Sequence, residues 1–301
     1  MEPATPPPPP DTRPATRHAM LAREMRVRET VLEPVLDGTV LPRGTHMLRE
    51  GAFMFHARDG HLFRYRRGEG VFADASRAED PAARRLWLEG TVHAAVAALN
   101  GLMPVHASAI EVKGQAWALL GPSGAGKSTL ATALATGVSG PHYPLHCDDT
   151  MVLDLSGPQP LALPGHKAAK LDRGAVALSR ARAGQAVAGD RAKHYADDVP
   201  RTGEDSLPLA GLVVLEWNDG DDVSLVPASL SHAVAALATP HYTLDLYAAA
   251  NHLGPREQMR ALAGIAEKSR NYRLLRPKSA AHFTKVINVL RSVLDAGVTK
   301  A

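Results

Sequence analysis

The octapeptide GPSGAGKS, running from Gly121 through Pro122, Ser123, Gly124, Ala125 and Gly126 to Lys127 and Ser128, is followed by Thr129 and Leu130. Its residue types and spacing are those of a loop that cradles phosphates. Glycines admit backbone with φ > 0, so successive N–H groups can turn inward toward phosphate oxygens. Lys127 supplies a compact positive charge for β- and γ-phosphates, and the Ser128 hydroxyl is a hard oxygen ligand of the kind Mg²⁺ takes. The flanks agree with this reading. Gln115–Leu120 (QAWALL) predicts a short buried strand, and Ser128–Ala135 (STLATALA) predicts the first turns of a helix. An anion would then lie at a helix N-terminus, where the dipole and unpaired N–H groups favour it. The expectation is a nucleoside triphosphate site built from residues 121–129.

Two further segments narrow the chemistry. His146, Cys147, Asp148, Asp149 and Thr150 head an apolar run, with Asp148 lying 21 residues beyond Lys127. That distance accommodates a helix and a return to the sheet. Adjacent carboxylates near phosphates can divide two tasks, one holding Mg²⁺ and the other taking the proton of an attacking hydroxyl. Upstream, Val105, His106, Ala107, Ser108 and Ala109 end 12 residues before Gly121. A strand there, turning at Lys113-Gly114, would pair with the strand leading into the loop and return His106 toward the phosphates. An imidazole in that place can bond an aspartate and tune its basicity, or ligate a metal.

The elements that must position these residues form an alternating pattern. Expected strands are Val105–Val112, Gln115–Leu120, His146–Leu153 and Leu209–Glu216; expected helices are Ser128–Thr136, Arg256–Lys268 and Ala280–Ala296. Strands interleaved with helices predict an α/β layered core. Before it, residues 19–100 read as a small α+β domain. Its segments Gly51–Arg58 and His61–Arg67 form a hairpin at Asp59-Gly60, and Pro81–Leu99 forms an alanine-rich helix. Residues 1–18, rich in proline from Pro3 to Thr16, read as an extended, disordered tail. Gly174–Gly203, small and polar, reads as a helix plus a mobile loop able to engage substrate. The domain boundary is placed at 100/101, with residues 101–301 carrying the loop.

Composition excludes several classes. Apolar residues make up 45% of the 301 residues and charged residues 22%, which describes a globular chain rather than a disordered one. The net charge of +3 comes from interspersed charges of both signs, so no nucleic-acid surface is expected. Arg64, Arg66 and Arg67 alternate with Phe63 and Tyr65 as in an ordinary half-buried strand. No apolar run reaches the roughly 18 residues of a membrane span, and the N-terminal residues lack the pattern of a signal peptide. The single Cys147 excludes an internal disulfide framework and fits a reducing cytoplasm. Its acidic neighbours disfavour a catalytic thiolate.

The order His106-Ala107, GPSGAGKS, Asp148-Asp149 resembles the catalytic domain of HPr kinase/phosphorylase. It is most similar to the HPr-kinase-related serine kinases, among them those acting on lasso-peptide precursors. The resemblance is specific from Leu102 to Asp154 and weaker through Leu209–Glu216 and Tyr272–Pro277. It implies a P-loop kinase core related to phosphoenolpyruvate carboxykinase, whose His-Cys-Ser-Ala stretch is mirrored by His106–Ala109, with a small strand-rich N-terminal domain. It further implies transfer of the ATP γ-phosphoryl group to a serine of a peptide or protein, such as the C-terminal serine of a lasso-peptide precursor. By the same resemblance Asp148 is the general base and Asp149, with Ser128, contacts Mg²⁺; adjacent aspartates share one field, so the two roles are interchangeable at this stage. His106 would stabilise the working charge state of the base, and Lys127 with the loop amides would neutralise the moving phosphoryl group. Lys170, Lys193 and Arg276 are basic residues that could touch phosphates or substrate, with a solvated surface the preferred reading for any one of them. A homo-oligomer is an available state, since HPr kinases form hexamers.

The chain also departs from that family. Thr129 stands where bifunctional HPr enzymes carry glutamate, Ala107 stands where they carry glycine, and their Glu-Val-Arg-Gly-Leu-Gly stretch is absent. These differences count against HPr as the acceptor and against the reverse phosphorolysis, leaving a one-way kinase. Three other readings stay open on the residues: a mechanical or switch ATPase with Glu216 activating water, a nucleotide sensor without catalysis, and a kinase for small-molecule hydroxyls.

Overall fold

Alternation along Gln115–Leu120 sets the layering of the molecule. In the computed structural model, which describes residues 14–77, 80–239 and 241–296, Trp117 and Leu119 point to one side of the sheet and join Leu130, Leu134, Ile287 and Leu290. Ala116, Ala118 and Leu120 point to the other side and meet Val234, Leu262 and Ile265. Successive strand side chains face opposite ways, so a run with no polar residue after its first is buried on both faces. Helices Lys127–Ala135 and Phe283–Ala296 cover one face, and Leu230–Leu237 and Pro255–Glu267 cover the other. The result is a mixed α/β architecture with several sheets, the largest having nine strands.

At the centre of that sheet Gln115–Leu120, Leu207–Asn218 and Arg270–Pro277 run parallel. Their carboxyl ends lie on the side where Gly121 begins its loop, the edge at which open α/β sheets bind ligands. Ser108–Val112 pairs antiparallel with Gln115–Leu120 through the expected turn at Lys113-Gly114, both residues of which have positive φ.

Two expected strands are broken in the middle. The run Val105–Val112 divides into Met103–Val105 and Ser108–Val112, and His146–Leu153 divides into Leu145–Cys147 and Met151–Asp154. Val105 lies opposite Met151 and Ala109 lies opposite Cys147, so the two segments run side by side on both sides of each break. They form one ribbon bent at a corner. Beyond it the ribbon pairs with Leu161–Ala162, which itself pairs with the start of Leu207–Asn218. A strand that changes partners in this way must bend or bulge where it turns. The corner carries His106 and Ala107 on one segment and Asp148, Asp149 and Thr150 on the other.

The hairpin Ala52–His56/Leu62–Arg66 forms as expected, within a separate five-stranded sheet. The region around it differs from expectation in three ways. Residues 14–18 are the first turns of a helix, Pro14–Glu24, and are not part of an extended tail; residues 1–13 of that tail lie outside the described residues. Pro14 is tolerated because the first helical position needs no N–H. The helix is tied down at its end, where buried Glu24 accepts from the Tyr65 hydroxyl at 2.8 Å and from Gly68 N at 2.8 Å. Second, the core of Phe53, Phe63 and Tyr65 continues through Ala94–Leu99 to Val152, Leu163 and Leu246. The boundary at 100/101 therefore falls inside one continuous core. Third, the helix expected over Pro81–Leu99 is interrupted by a π turn at Leu88–Val92, between Pro81–Trp87 and His93–Leu99.

Gly174–Gly203 is likewise more ordered than a helix and loop. After helix Arg173–Ser179, the strands Arg182–Val187 and Asp190–Asp197 form a hairpin, with Lys170–Asp172 as a third strand. A further helix, Tyr242–Ala250, lies where none was expected. The predicted helices near 256–268 and 280–296 are present as Pro255–Glu267 and as a single 3₁₀ turn leading into Phe283–Ala296.

Buried Trp117 requires a small residue beside it, and its register partner across the parallel pair is Gly211. A Cβ at that position would lie 2.4 Å from the indole ring. Gly211→Ala is expected to cost about 3 kcal/mol, at the upper end of overpacking penalties, and to lower the urea midpoint by that loss divided by an unchanged m-value.

Candidate active site

The loop from Gly121 to Gly126 joins Gln115–Leu120 to helix Lys127–Ala135. Its three glycines all take positive φ, at 144°, 80° and 83° for Gly121, Gly124 and Gly126. At Gly121 a side chain is also excluded by contact, since a Cβ there would lie 3.1 Å from the Leu215 carbonyl oxygen. Gly126 caps the helix, so the first-turn N–H groups of Lys127, Ser128 and Thr129 open toward the loop. Lys127 is only 6% exposed. Its ammonium folds back and donates to the carbonyls of Gly121 at 2.8 Å and Pro122 at 3.1 Å. Burial lowers its pKa, against the opposing charges of Asp148 and Asp149.

Ala125 faces away from the cavity, and its carbonyl accepts a hydrogen bond from the guanidinium of Arg276. Arg276 stacks 4.0 Å over the Trp217 ring, and burial lowers its pKa to about 10. It braces the loop from behind and lines neither cavity described below.

At the ribbon corner Asp149 adopts a left-handed backbone, φ 68°. His106 Nδ1 lies 2.9 Å from the Asp149 main-chain oxygen. A carbonyl only accepts, so Nδ1 carries the proton and Nε2 carries the lone pair. The ring thus holds the turn itself, with the carboxylate Oδ1 more distant at 3.4 Å. Burial, then the charge of Lys127, lowers the His106 pKa and keeps the ring neutral. Asp149 Oδ2 accepts from Lys170 Nζ at 2.9 Å. Burial alone would raise the Asp149 pKa, but the Lys170 charge and hydrogen bond, with His106 and His241, hold it below the ordinary carboxylate value. Asp148 is buried, accepts from the Ser108 hydroxyl, and its N–H donates to the His166 carbonyl at 2.7 Å.

Several of these partners carry no signal in the sequence. His241 stacks on His106 with ring centroids 4.1 Å apart and planes 10° from parallel, and burial together with His106 lowers its pKa to about 4. It precedes a helix that has no strong apolar period, so nothing in the pattern marks it. The π turn of the N-terminal helix reaches the corner from the other side. Glu89 lies 2.9 Å from Nε2 of His166, the residue whose carbonyl holds Asp148. The Tyr242 hydroxyl packs against that turn beside Gly90, and burial raises its pKa to about 12. Ser108 lies within the His106–Ala109 stretch, where the sequence assigns a role to the histidine alone.

Two cavities meet at the corner. The larger, about 800 Å³, is lined by Ser123, Gly124, Gly126, Lys127, Ser128 and Thr129 together with His106, Asp148, Asp149 and Lys170. Its outer wall comes from Trp87 and Asp59 of the N-terminal region and from the 182–197 hairpin, where Lys193 pairs with Asp190 at 3.5 Å. The smaller, about 220 Å³, is lined by Gly121, Pro122, Ser123, His106, Asp149 and His241, among others. Asp149, His106 and Ser123 face both. All the sequence-predicted loop and corner residues therefore come together except Ala125.

Among the described residues no three His, Cys, Asp or Glu side chains converge as a protein-only metal cage. Mg²⁺ does not need one, because it binds through one or two carboxylates plus phosphate oxygens and water. Ser128, Asp148 and Asp149 offer hard oxygen donors to one cavity, a set that fits Mg²⁺ and not a soft metal. Cys147 is fully buried, and burial followed by Asp148 pushes its thiol pKa well up, so it is no nucleophile. Glu216 is engaged by Arg273 at 2.7 Å and by His232, and it lines neither cavity. Among the described residues no helix is long and apolar enough to cross a membrane.

No family model and no curated protein matches this chain. Among solved structures, the HPr(Ser) kinase/phosphatase from Coxiella burnetii aligns over 63% of this chain and 95% of its own, at 12% identity and a TM-score of 0.31. A superposition that loose supports no conclusion about fold or chemistry.

Removing the brace behind the loop should loosen it. Arg276→Ala strands the buried Ala125 carbonyl and uncovers Trp217, with an expected loss of about 1–3 kcal/mol. The measurement is urea unfolding followed by intrinsic tryptophan fluorescence; an unchanged midpoint would show that the loop does not depend on the guanidinium.

Proposed function

We propose that this chain is an ATP- and Mg²⁺-dependent kinase that transfers the γ-phosphoryl group to a serine hydroxyl of a peptide or protein. The observation carrying the reading is that the Gly-rich loop, Lys127 and the pair Asp148-Asp149 line one cavity at the carboxyl ends of parallel strands. The HPr-kinase-like P-loop core, the serine acceptor and the cytoplasmic setting come from the motif resemblance, and so does the option of a homo-oligomer. In transfer, the serine oxygen forms a bond to the γ-phosphorus as the bond to the β–γ bridging oxygen breaks. The electron pair leaves with ADP, and the serine proton passes to a carboxylate. The transition state is loose, so positioning and charge matter more than base strength.

The cavities favour one division of the aspartates. Asp148 faces only the larger cavity, alongside Lys127 and Ser128, and is our choice for the Mg²⁺ and phosphate side. Asp149 faces both cavities, and we assign it to receive the serine proton. This reverses the order first suggested by the resemblance. Mg²⁺, when bound, would neutralise charge on the β- and γ-oxygens. Lys170 holds Asp149 ionised, and His106 fixes the turn that aims it. A motor ATPase using Glu216 is disfavoured because that carboxylate is already engaged by Arg273 and His232.

Labelling from [γ-³²P]ATP into serine peptides should vanish in Lys127→Ala and drop by about 10²- to 10⁴-fold in Asp149→Asn, the range of general-base removal. Full labelling in both variants would sink the proposal. The pH profile offers a second check. Asp149 has a depressed pKa, so the ionised form persists as pH falls, and activity should hold until below the ordinary aspartate value of 3.8. Lys170→Met removes the main lowering influence and should move the acid limb of kcat/KM to higher pH. An unmoved limb would show that Asp149 is not the group that titrates.

A further inference from the structure

The two cavities differ in what they offer a substrate. Every residue of the helix N-terminus that can hold phosphates, from Gly126 to Thr129, lines the larger cavity and not the smaller. The smaller is reached at the other end of the loop, past Gly121 and Pro122. Lys127 marks the boundary. Its ammonium, the charge that meets β- and γ-phosphates, bonds the carbonyls of these same two residues. A triphosphate laid along the loop with its γ end at Lys127 therefore has its nucleoside toward the larger cavity. The face of the γ-phosphorus turned away from ADP then looks into the smaller one, and Asp149 and His106 stand at that junction.

The smaller cavity has its own chemistry. Thr239, Thr243 and His241 supply hydroxyl and imidazole groups, while Leu237, Leu244 and Leu262 supply apolar wall. Among the described residues Asp149 is the only carboxylate lining it, and no lysine or arginine does. Its volume of about 220 Å³ suits a residue-sized fragment. The two ammoniums near the corner, Lys127 at the boundary and Lys170 on Asp149 Oδ2, line only the larger cavity, so a carboxylate in the smaller one would approach Asp149 from the side away from them, where a like charge at short range is disfavoured.

We propose that this small cavity receives the hydroxyl-bearing end of the phosphate acceptor, and that it selects an uncharged, residue-sized group such as an internal serine over a C-terminal serine with its free carboxylate. The inference rests on the kinase reading above and adds the place and charge of the acceptor. Lack of a counter-cation does the selecting; the threonines and His241 offer hydrogen bonds to the neutral amides on either side of the hydroxyl.

The probes are N-acetylserinamide, which is neutral, and N-acetylserine, which carries a carboxylate. Each is titrated by NMR into the full chain saturated with Mg²⁺ and the non-hydrolysable adenylyl imidodiphosphate. The expected result is that the neutral probe binds at least 10-fold more tightly. Filling the cavity with Thr239→Trp, or with Ala236→Phe should the first variant not fold, should abolish that binding while nucleotide affinity stays within twofold. Thr239→Val, of similar size, should retain it. Four outcomes overturn the proposal: no binding of the neutral probe, preference for N-acetylserine, binding that survives the filled cavity, or a 10-fold loss of nucleotide affinity on filling it. The last would place the nucleobase there instead. A separate assay with ATP isolates the underlying reading, because a neutral probe that binds in the cavity but is never phosphorylated refutes the kinase and leaves the binding site standing.

Discussion

The left-handed turn at Asp149 is the constraint on which the rest of the site depends. A non-glycine residue in that conformation is held at a cost of the order of 1–3 kcal/mol unless its surroundings over-determine it. Here they do. The ribbon pairs on both sides of the corner, through Val105 with Met151 and Ala109 with Cys147, so the turn cannot relax without breaking strand pairing. The His106 ring donates to the carbonyl of Asp149, and Lys170 fixes its carboxylate. Asp148, one residue earlier, is held by Ser108 and the His166 carbonyl. Two adjacent carboxylates on one cavity thus have separate partners, which the proposed division of tasks requires.

The loop and the corner also depend on each other electrostatically. Lys127 is nearly buried, a state that burial alone makes unfavourable for a charged amine, and the nearby aspartates offset that cost. Two carboxylates facing the loop proposed to hold phosphates would by themselves repel an anion. Lys170 compensates at Asp149, and the loop N–H groups and helix N-terminus add partial positive charge beside them. Neither half would work well alone: the carboxylates need the cations to admit an anion, and Lys127 needs the carboxylates to remain charged when no anion is bound.

How much of this was legible follows from which forces write a local pattern. The loop announced itself because glycine and lysine spacing is dictated by local backbone geometry, and the buried strand Gln115–Leu120 by its unbroken apolar run. The corner left no such mark. Val105–Val112 and His146–Leu153 are mostly buried near their breaks, where polar Ser108, Asp148 and Thr150 join Ala107 and Cys147, and neither break contains a glycine or proline. Only the change of partner strand, a tertiary event, bends them. The 182–197 hairpin was missed for the opposite reason. Its alanines and glycines have weak strand propensity, and pairing with Lys170–Asp172 supplies the order. Helix Pro14–Glu24 was hidden by the proline run before it, although its end is fixed by Glu24, far in sequence from its partner Tyr65. His241, Glu89 and His166 act through packing across the chain, where no spacing rule reaches.

The stacked imidazoles of His106 and His241 show why the division between the cavities is lasting. Rings whose centroids are 4.1 Å apart resist simultaneous protonation, since like charges at that distance repel strongly in a buried setting. Burial lowers the pKa of both, that of His241 to about 4. His106 lines both cavities and His241 the smaller one. Lys127 and Lys170 line only the larger cavity, and the polar groups of the smaller are hydroxyls and neutral rings around one carboxylate. The charge contrast does not depend on a titration near neutral pH. It is built into which face of the corner each side chain occupies, and so follows from the same bend in the ribbon that sets Asp148 and Asp149 apart.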